Sequence, residues 1–293
     1  MRSSSYRALI AAIFLLFFHG VGLAQAEFLG AFTWEREEEY FGGVSGFDFF
    51  DDGSHFAAVG DNAITLIGTF ERTDGRITAV TSPWIGGLRD VMGNRVQGNM
   101  TDAEGLALTP DGHWLVSFED AHRVVEYADR EARGRPYPVF RMMRDLAENR
   151  SLEGIAVDRD GAIFVLSEGR LPRTPGFPVF RFADGVWALF ATLPEDGAYR
   201  PVGADFGPDG RLYVLWRRLA LPFRFASRVT RHEVGEDGLT GGERVLQTEL
   251  GAHDNLEGLA VWADETGLRL TMVSDDNYRG FQRTEFVEYR LSE

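Results

Sequence analysis

Carboxylates recur at two fixed places in a pattern that this 293-residue chain repeats five times. Glu104, Glu153 and Glu257 each stand directly before a glycine and an apolar run; Ser45 and Val202 hold the same place in the other two repeats. Asp61, Glu119, Glu168 and Asp275 each close the following apolar run, where the fourth repeat has Arg217 instead. If the fold gathers these seven acids, they repel by about 1 kcal/mol per close pair in water, and by several times that where water is excluded. Protons, an ion pair or a cation must then offset the charge. With oxygen donors only, the set suits a hard cation such as Ca²⁺, which takes six to eight oxygens in irregular geometry. Glu104, Glu153 and Glu257 are the candidate catalytic groups, and Asp61, Glu119, Glu168, Asp275 and the adjoining Asp276 the candidate metal ligands. A purely structural reading stands beside this one, with each carboxylate accepting backbone N–H groups from its neighbour in the repeat.

Arg217 is the one cation in the set. It can pair with Glu168 or Asp275, or meet an anionic substrate group bidentately. His253 and Asn255 lie just before Glu257, where a loop would overhang the same place, and complete the candidate substrate-binding residues; His253 is also open to a general-base or ligand role. Other chemistries are excluded. Cys is absent, and all 30 basic residues are arginine, so thiolate sites, disulfides, Schiff bases and a Walker-type lysine cannot occur. No Gly-x-Ser-x-Gly elbow is present. Asp158-Arg159-Asp160-Gly161 starts like a calcium loop but lacks its terminal Glu, and reads as a hairpin turn.

The elements that must position these residues follow from the repeat. Its starts, at Ser45, Glu104, Glu153, Val202 and Glu257, are 59, 49, 49 and 55 residues apart. That is roughly the period of a four-stranded propeller blade. In the second repeat, strands are predicted at Glu104–Leu108, Trp114–Phe118, Arg123–Tyr127 and Tyr137–Arg141, with Pro110-Asp111-Gly112 as a hairpin turn. The last repeat ends one strand short, and Glu27–Trp34 is a strand with no blade of its own. Pairing these ends closes the ring and removes an exposed edge. The expectation is all-β: one domain, 27–293, forming a five-bladed propeller of four antiparallel strands per blade. Six blades is the alternative, because 86–102 could hide irregular structure; 86–100 and 139–146 could each carry a helical turn. In such a ring the first strand of each blade lines the channel and the second runs back beside it, so both sets of acids reach one mouth.

Hydrophobic residues make up 44% and charged residues 26% of the chain, which excludes disorder. Met1–Ala26 reads as a secretory leader: Arg2 and Arg7, an apolar run from Ala8 to Phe18 too short to span a bilayer, and Ala24-Gln25-Ala26 as a small-x-small cleavage site. Removing it takes the formal charge from −15 to −17. A chain this acidic is a poor partner for nucleic acid or an anionic membrane. A small-molecule substrate or ligand is expected, and a bacterial periplasmic or secreted location.

Asp102-Ala103-Glu104-Gly105-Leu106-Ala107, Ser151-Leu152-Glu153-Gly154-Ile155-Ala156 and Asn255-Leu256-Glu257-Gly258-Leu259-Ala260, with the closing Val273-Ser274-Asp275-Asp276-Asn277, resemble the bacterial phytase-like propeller family. That family carries the description "esterase-like activity of phytase". The resemblance implies an exported propeller with recurrent Glu and Asp residues that hydrolyses phosphoesters, the motif falling on Glu104, Glu153, Glu257, Asp275 and Asp276; hydrolysis of a similar ester is the related expectation. The chain departs from it at Ser45 with Gly60-Asp61-Asn62, and at Val202 with Trp216-Arg217. Two other readings are carried forward. One is a non-enzymatic propeller that binds a small ligand or an envelope protein. The other is a lactonase of the gluconolactonase type, with calcium deep in the channel and Asn among its ligands.

Overall fold

The protein is described by a computed structural model over residues 26–38, 40–147 and 150–292. Of the expected leader, only Ala26 falls within the described residues. That residue begins β1 (Ala26–Thr33). The first blade is β2 (Val44–Phe49), β3 (His55–Gly60), β4 (Ile64–Thr73) and β5 (Arg76–Gly87). The second is β6 (Ala103–Leu108), β7 (Trp114–Phe118), β8 (Arg123–Tyr127) and β9 (Arg135–Pro136). The third is β10 (Leu152–Val157), β11 (Ile163–Ser167), β12 (Phe177–Ala183) and β13 (Val186–Leu193). The fourth is β14 (Arg200–Phe206), β15 (Leu212–Ala220), β16 (Arg224–Gly235) and β17 (Gly238–Gln247). The fifth is β18 (Asn255–Asp264), β19 (Gly267–Asp275) and β20 (Glu285–Leu291), and β1 completes it.

Five four-stranded antiparallel sheets therefore form a five-bladed propeller, and the six-bladed alternative is excluded. Closure is the expected one: β1 runs antiparallel to β20, from Ala26 opposite Leu291 to Thr33 opposite Glu285. The Asp-Gly turns hold because Gly112, Gly161 and Gly210 adopt φ of +84°, +83° and +77°, which glycine reaches without steric cost. Asp158 reinforces its turn by accepting the N–H groups of Asp160 (3.0 Å) and Ala162 (2.8 Å), so the calcium-like tetrad is a hairpin.

One strand departs from expectation. The outer strand of the second blade is the two-residue β9, and Tyr137–Arg141 forms no strand. Pro136 and Pro138 supply no N–H to the ladder, and the chain turns into a short 3₁₀ helix at Arg141–Asp145. A second 3₁₀ turn, Gly98–Met100, lies in the long linker. Trp114, Trp216 and Trp262 are buried. Among the described residues no helix is long and apolar enough to cross a membrane.

Candidate functional site

All five inner strands break register at the same point. The ladder slips between Val44 and Gly46, Ala103 and Gly105, Leu152 and Ile155, Pro201 and Gly203, and Leu256 and Gly258. The residue passed over is Ser45, Glu104, Glu153 (with Gly154), Val202 or Glu257. A bulge re-aims the side chain it carries, so the candidate acids leave the alternation of the strand. The glycine that follows has a second role. A Cβ on Gly46 would come within 2.5 Å of Leu106 N, on Gly105 within 2.6 Å of Glu153 O, and on Gly203 within 2.3 Å of Glu257 O. Each inner strand thus packs backbone to backbone on the next. At this level the axis is closed to a void of about 10 Å³, roughly one water probe. The mouth is consequently a shallow basin above a sealed pore.

The basin brings the acids together as two groups. In the first, oxygens of Glu119, Glu153 and Glu168 lie within 4.8 Å of one another, and oxygens of Asp102, Glu104 and Glu119 do likewise. Glu119 belongs to both sets. Asp102 is a residue the sequence pattern did not single out. It reaches the basin because its carbonyl accepts the Glu119 N–H (3.0 Å), although it stands outside the strand-end positions of the repeat. Glu119 also accepts the Ser151 N–H at 3.2 Å, and the Ser151 hydroxyl meets His122 Nδ1. Burial and the neighbouring Asp102 and Glu168 raise the Glu119 carboxyl to about 7. Glu104 and Glu153 are pushed well above the carboxylate range, by burial first and then by adjoining acids.

The second group is built on Arg217. Its Nη1 donates to Asn255 Oδ1 (2.9 Å) and to Glu257 Oε1, and its Nη2 stands 3.5 Å from Glu168 Oε2. Asn255 Nδ2 donates to the same Glu257 oxygen at 3.0 Å. The expected pairing with Glu168 is present, while Glu257 takes the place of Asp275. Asp275 is 3% exposed, and burial beside Glu257 and Asp61 raises its carboxyl to about 10, so it carries a proton at neutral pH. Asp61 accepts the Ser45 hydroxyl at 2.6 Å and is raised to about 7 by burial and by Glu257 and Asp102.

Two candidates fall outside the basin's chemistry. His253 Nε2 bonds the Tyr289 hydroxyl at 2.7 Å, and its ring packs beside Phe28 on the outer side of the last blade. Burial lowers its pKa, so it is neutral and faces away from the acids. Asp276 Oδ1 accepts the N–H groups of Gly43 (2.9 Å) and Tyr278 (3.0 Å), and Oδ2 accepts the Thr284 hydroxyl (3.1 Å). Those bonds fasten the last blade to the segment that enters the first. This is the structural use of a carboxylate that the sequence left open. Over the basin, the β15–β16 hairpin and the 276–284 loop meet through Phe223 and Phe281, whose ring centres are 5.2 Å apart. Leu221 and Phe281 are 87% and 64% exposed. An apolar rim therefore stands beside the acids, and no part of the repeat announced it.

The donor set fits a hard divalent cation. Only oxygen ligands are offered, two overlapping sets share Glu119, and acids this close must otherwise hold protons. Among curated proteins, none matches the chain. Among solved structures, it is similar to the PQQ-bound form of aldose sugar dehydrogenase from Streptomyces coelicolor, at 13% identity over 92% of this chain and 99% of that one, with a TM-score of 0.47. It is also similar to selenomethionine-substituted virginiamycin B lyase from Staphylococcus aureus, at 9% identity over 92% and 100% of the two chains, TM-score 0.47. Neither carries an activity across. The family model described as "Phytase-like: Esterase-like activity of phytase" matches residues 39–278, and the chain belongs to that family.

Proposed function

We propose that the protein is a cation-assisted hydrolase of small phosphoesters or esters, working at the acidic mouth of the propeller. The observation that carries this reading is the pair of carboxylate triads sharing Glu119. Glu119, Glu153 and Glu168 would hold a Ca²⁺ ion, with Asp102 and Glu104 beside it. When bound, such an ion polarises the substrate oxygen and lowers the pKa of water. The chain's own residues supply the rest. Glu104, whose carboxyl burial and the neighbouring acids push up and so make more basic, takes the proton of the attacking water when it is ionised. Asp275, already protonated, returns a proton to the leaving alkoxide. Arg217, held by Glu168, Glu257 and Asn255, stabilises negative charge as it develops on the acyl or phosphoryl oxygens. Ester and water thus become acid and alcohol with protons balanced.

The sealed pore confines substrate to the basin, and the Phe223–Phe281 rim favours a leaving group with an apolar part. A single guanidinium is thin provision for a polyphosphorylated substrate, which points to one phosphoryl or acyl group per molecule. The test is metal analysis of the purified protein, followed by turnover of p-nitrophenyl acetate and p-nitrophenyl phosphate. The assays are run after EDTA treatment and after Ca²⁺ is restored. Turnover that depends on Ca²⁺ and falls at least a hundredfold in Glu104→Gln supports the proposal. Equal rates with and without the ion reject it. Absent turnover together with saturable ligand capture would favour the binding propeller instead.

A further inference from the structure

The linker between the first two blades encloses, with the outer strands of the second, a cavity of about 660 Å³. It lies on the flank of the ring, separate from the acidic basin. One part of its wall is apolar, formed by Val96, Met100, Val125 and Tyr127. Another part carries Arg89, Arg95 and Arg123. Arg123 is fixed: its guanidinium lies 3.9 Å from the Phe118 ring centre, and Nη2 donates to Met100 O. Arg89 donates from Nη1 to Gly93 O at 3.1 Å and forms an isolated β-bridge to Arg133. Among the described residues, no carboxylate stands within ion-pair distance of Arg89 or Arg95, unlike Arg217 and Arg269.

Asp90, the acid on this wall, is already committed. Its Oδ1 accepts the N–H groups of Met92 (2.8 Å) and Asn94 (2.9 Å), and its Oδ2 accepts Asn94 Nδ2 (3.4 Å). In a chain of net charge −15, Arg89 and Arg95 line this cavity beside Arg123, and Asp90 is the one acid on its wall. The guanidinium fork suits carboxylate or phosphate oxygens, and the apolar wall suits a hydrocarbon body. The volume is that of an ordinary small-ligand site. We infer that this flank cavity binds an amphiphilic anion, a carboxylate or phosphate head on an apolar body. The site is independent of the hydrolase reading.

Calorimetric titration of the full chain in EDTA-containing buffer tests this, so that cation binding at the basin does not contribute. The probes are decanoate and decyl phosphate below their micelle concentrations, with decanol and inorganic phosphate as the two halves. One-to-one binding of at least one amphiphilic anion is expected, at least tenfold tighter than either half, and the tighter of the two identifies the preferred head. Arg95→Glu and Arg89→Gln should each weaken it tenfold or more, while Arg244→Glu, on the outer strand of the fourth blade, leaves it unchanged. Far-ultraviolet circular dichroism of each variant verifies the fold. Binding of neither anion, equal binding of decanol, or unchanged affinity in Arg95→Glu overturns the proposal.

Discussion

Without a bound cation the protein should become less stable as pH rises, the reverse of ordinary acid denaturation. Asp61 goes from 3.8 in the unfolded chain to about 7 in the fold, and Glu119 from 4.5 to about 7. The folded state therefore binds more protons than the unfolded state between these values, and stability declines as pH climbs through that window. Asp275 extends the decline toward pH 10. For Asp61 alone, a rise from 3.8 to about 7 corresponds to at most about 4 kcal/mol once the group is ionised. For a chain of this size that lowers the melting temperature by of order 10 °C. The assay is thermal unfolding by circular dichroism at pH 5, 6, 7 and 8, in EDTA and in 1 mM Ca²⁺. In EDTA the melting temperature should fall steadily; with Ca²⁺ the fall should be shallower, because the ion replaces the protons of its ligands Glu119 and Glu153. Glu153→Gln separates the terms. It removes a buried carboxyl whose ionisation the fold opposes, so without metal it should melt higher than the native chain at pH 8, while its gain on adding Ca²⁺ shrinks severalfold. A flat EDTA profile from pH 5 to 8, or a Glu153→Gln variant that melts lower, would refute the reasoning.

Gly203→Ala places a methyl group 2.3 Å from Glu257 O at the ring's closest approach and should cost about 3 kcal/mol, read as a lower urea midpoint with an unchanged slope. Arg217→Gln leaves Glu168 and Glu257 without their cation; a loss of about 3 kcal/mol is expected at pH 8, much reduced at pH 5, by denaturant titration at both values. Phe281→Ser opens the rim and should raise KM for aryl esters about tenfold with little change in kcat, measured against the matching methyl esters. Expression with the native leader in a bacterial host should release a product whose N-terminal sequence begins at Glu27; an intact Met1 in the exported fraction would contradict the cleavage site.

Much of the architecture was legible without coordinates. The spacing from Glu104 to Glu153 to Val202, the Asp-Gly turns and the unpaired strand after Ala26 specify blades, count and closure through local chemistry: glycine's left-handed φ and alternating hydrophobicity act over a few residues. That the acids share a mouth follows from the same repeat, since equivalent positions in a ring must lie at equal height. Tertiary structure decided what those acids do. The bulges that aim Glu104 and Glu257 inward, the glycine contacts that seal the axis beneath them, and the arrival of Asp102 beside Glu119 all depend on backbones packed across blades. So does the choice of Glu257 over Asp275 as the partner of Arg217. Asp276 and Asp275 are neighbours in sequence, yet one fastens a loop and the other holds a buried proton. That difference is set by which N–H groups and charges surround each carboxyl, and partners 40 to 233 residues away leave no mark on local sequence.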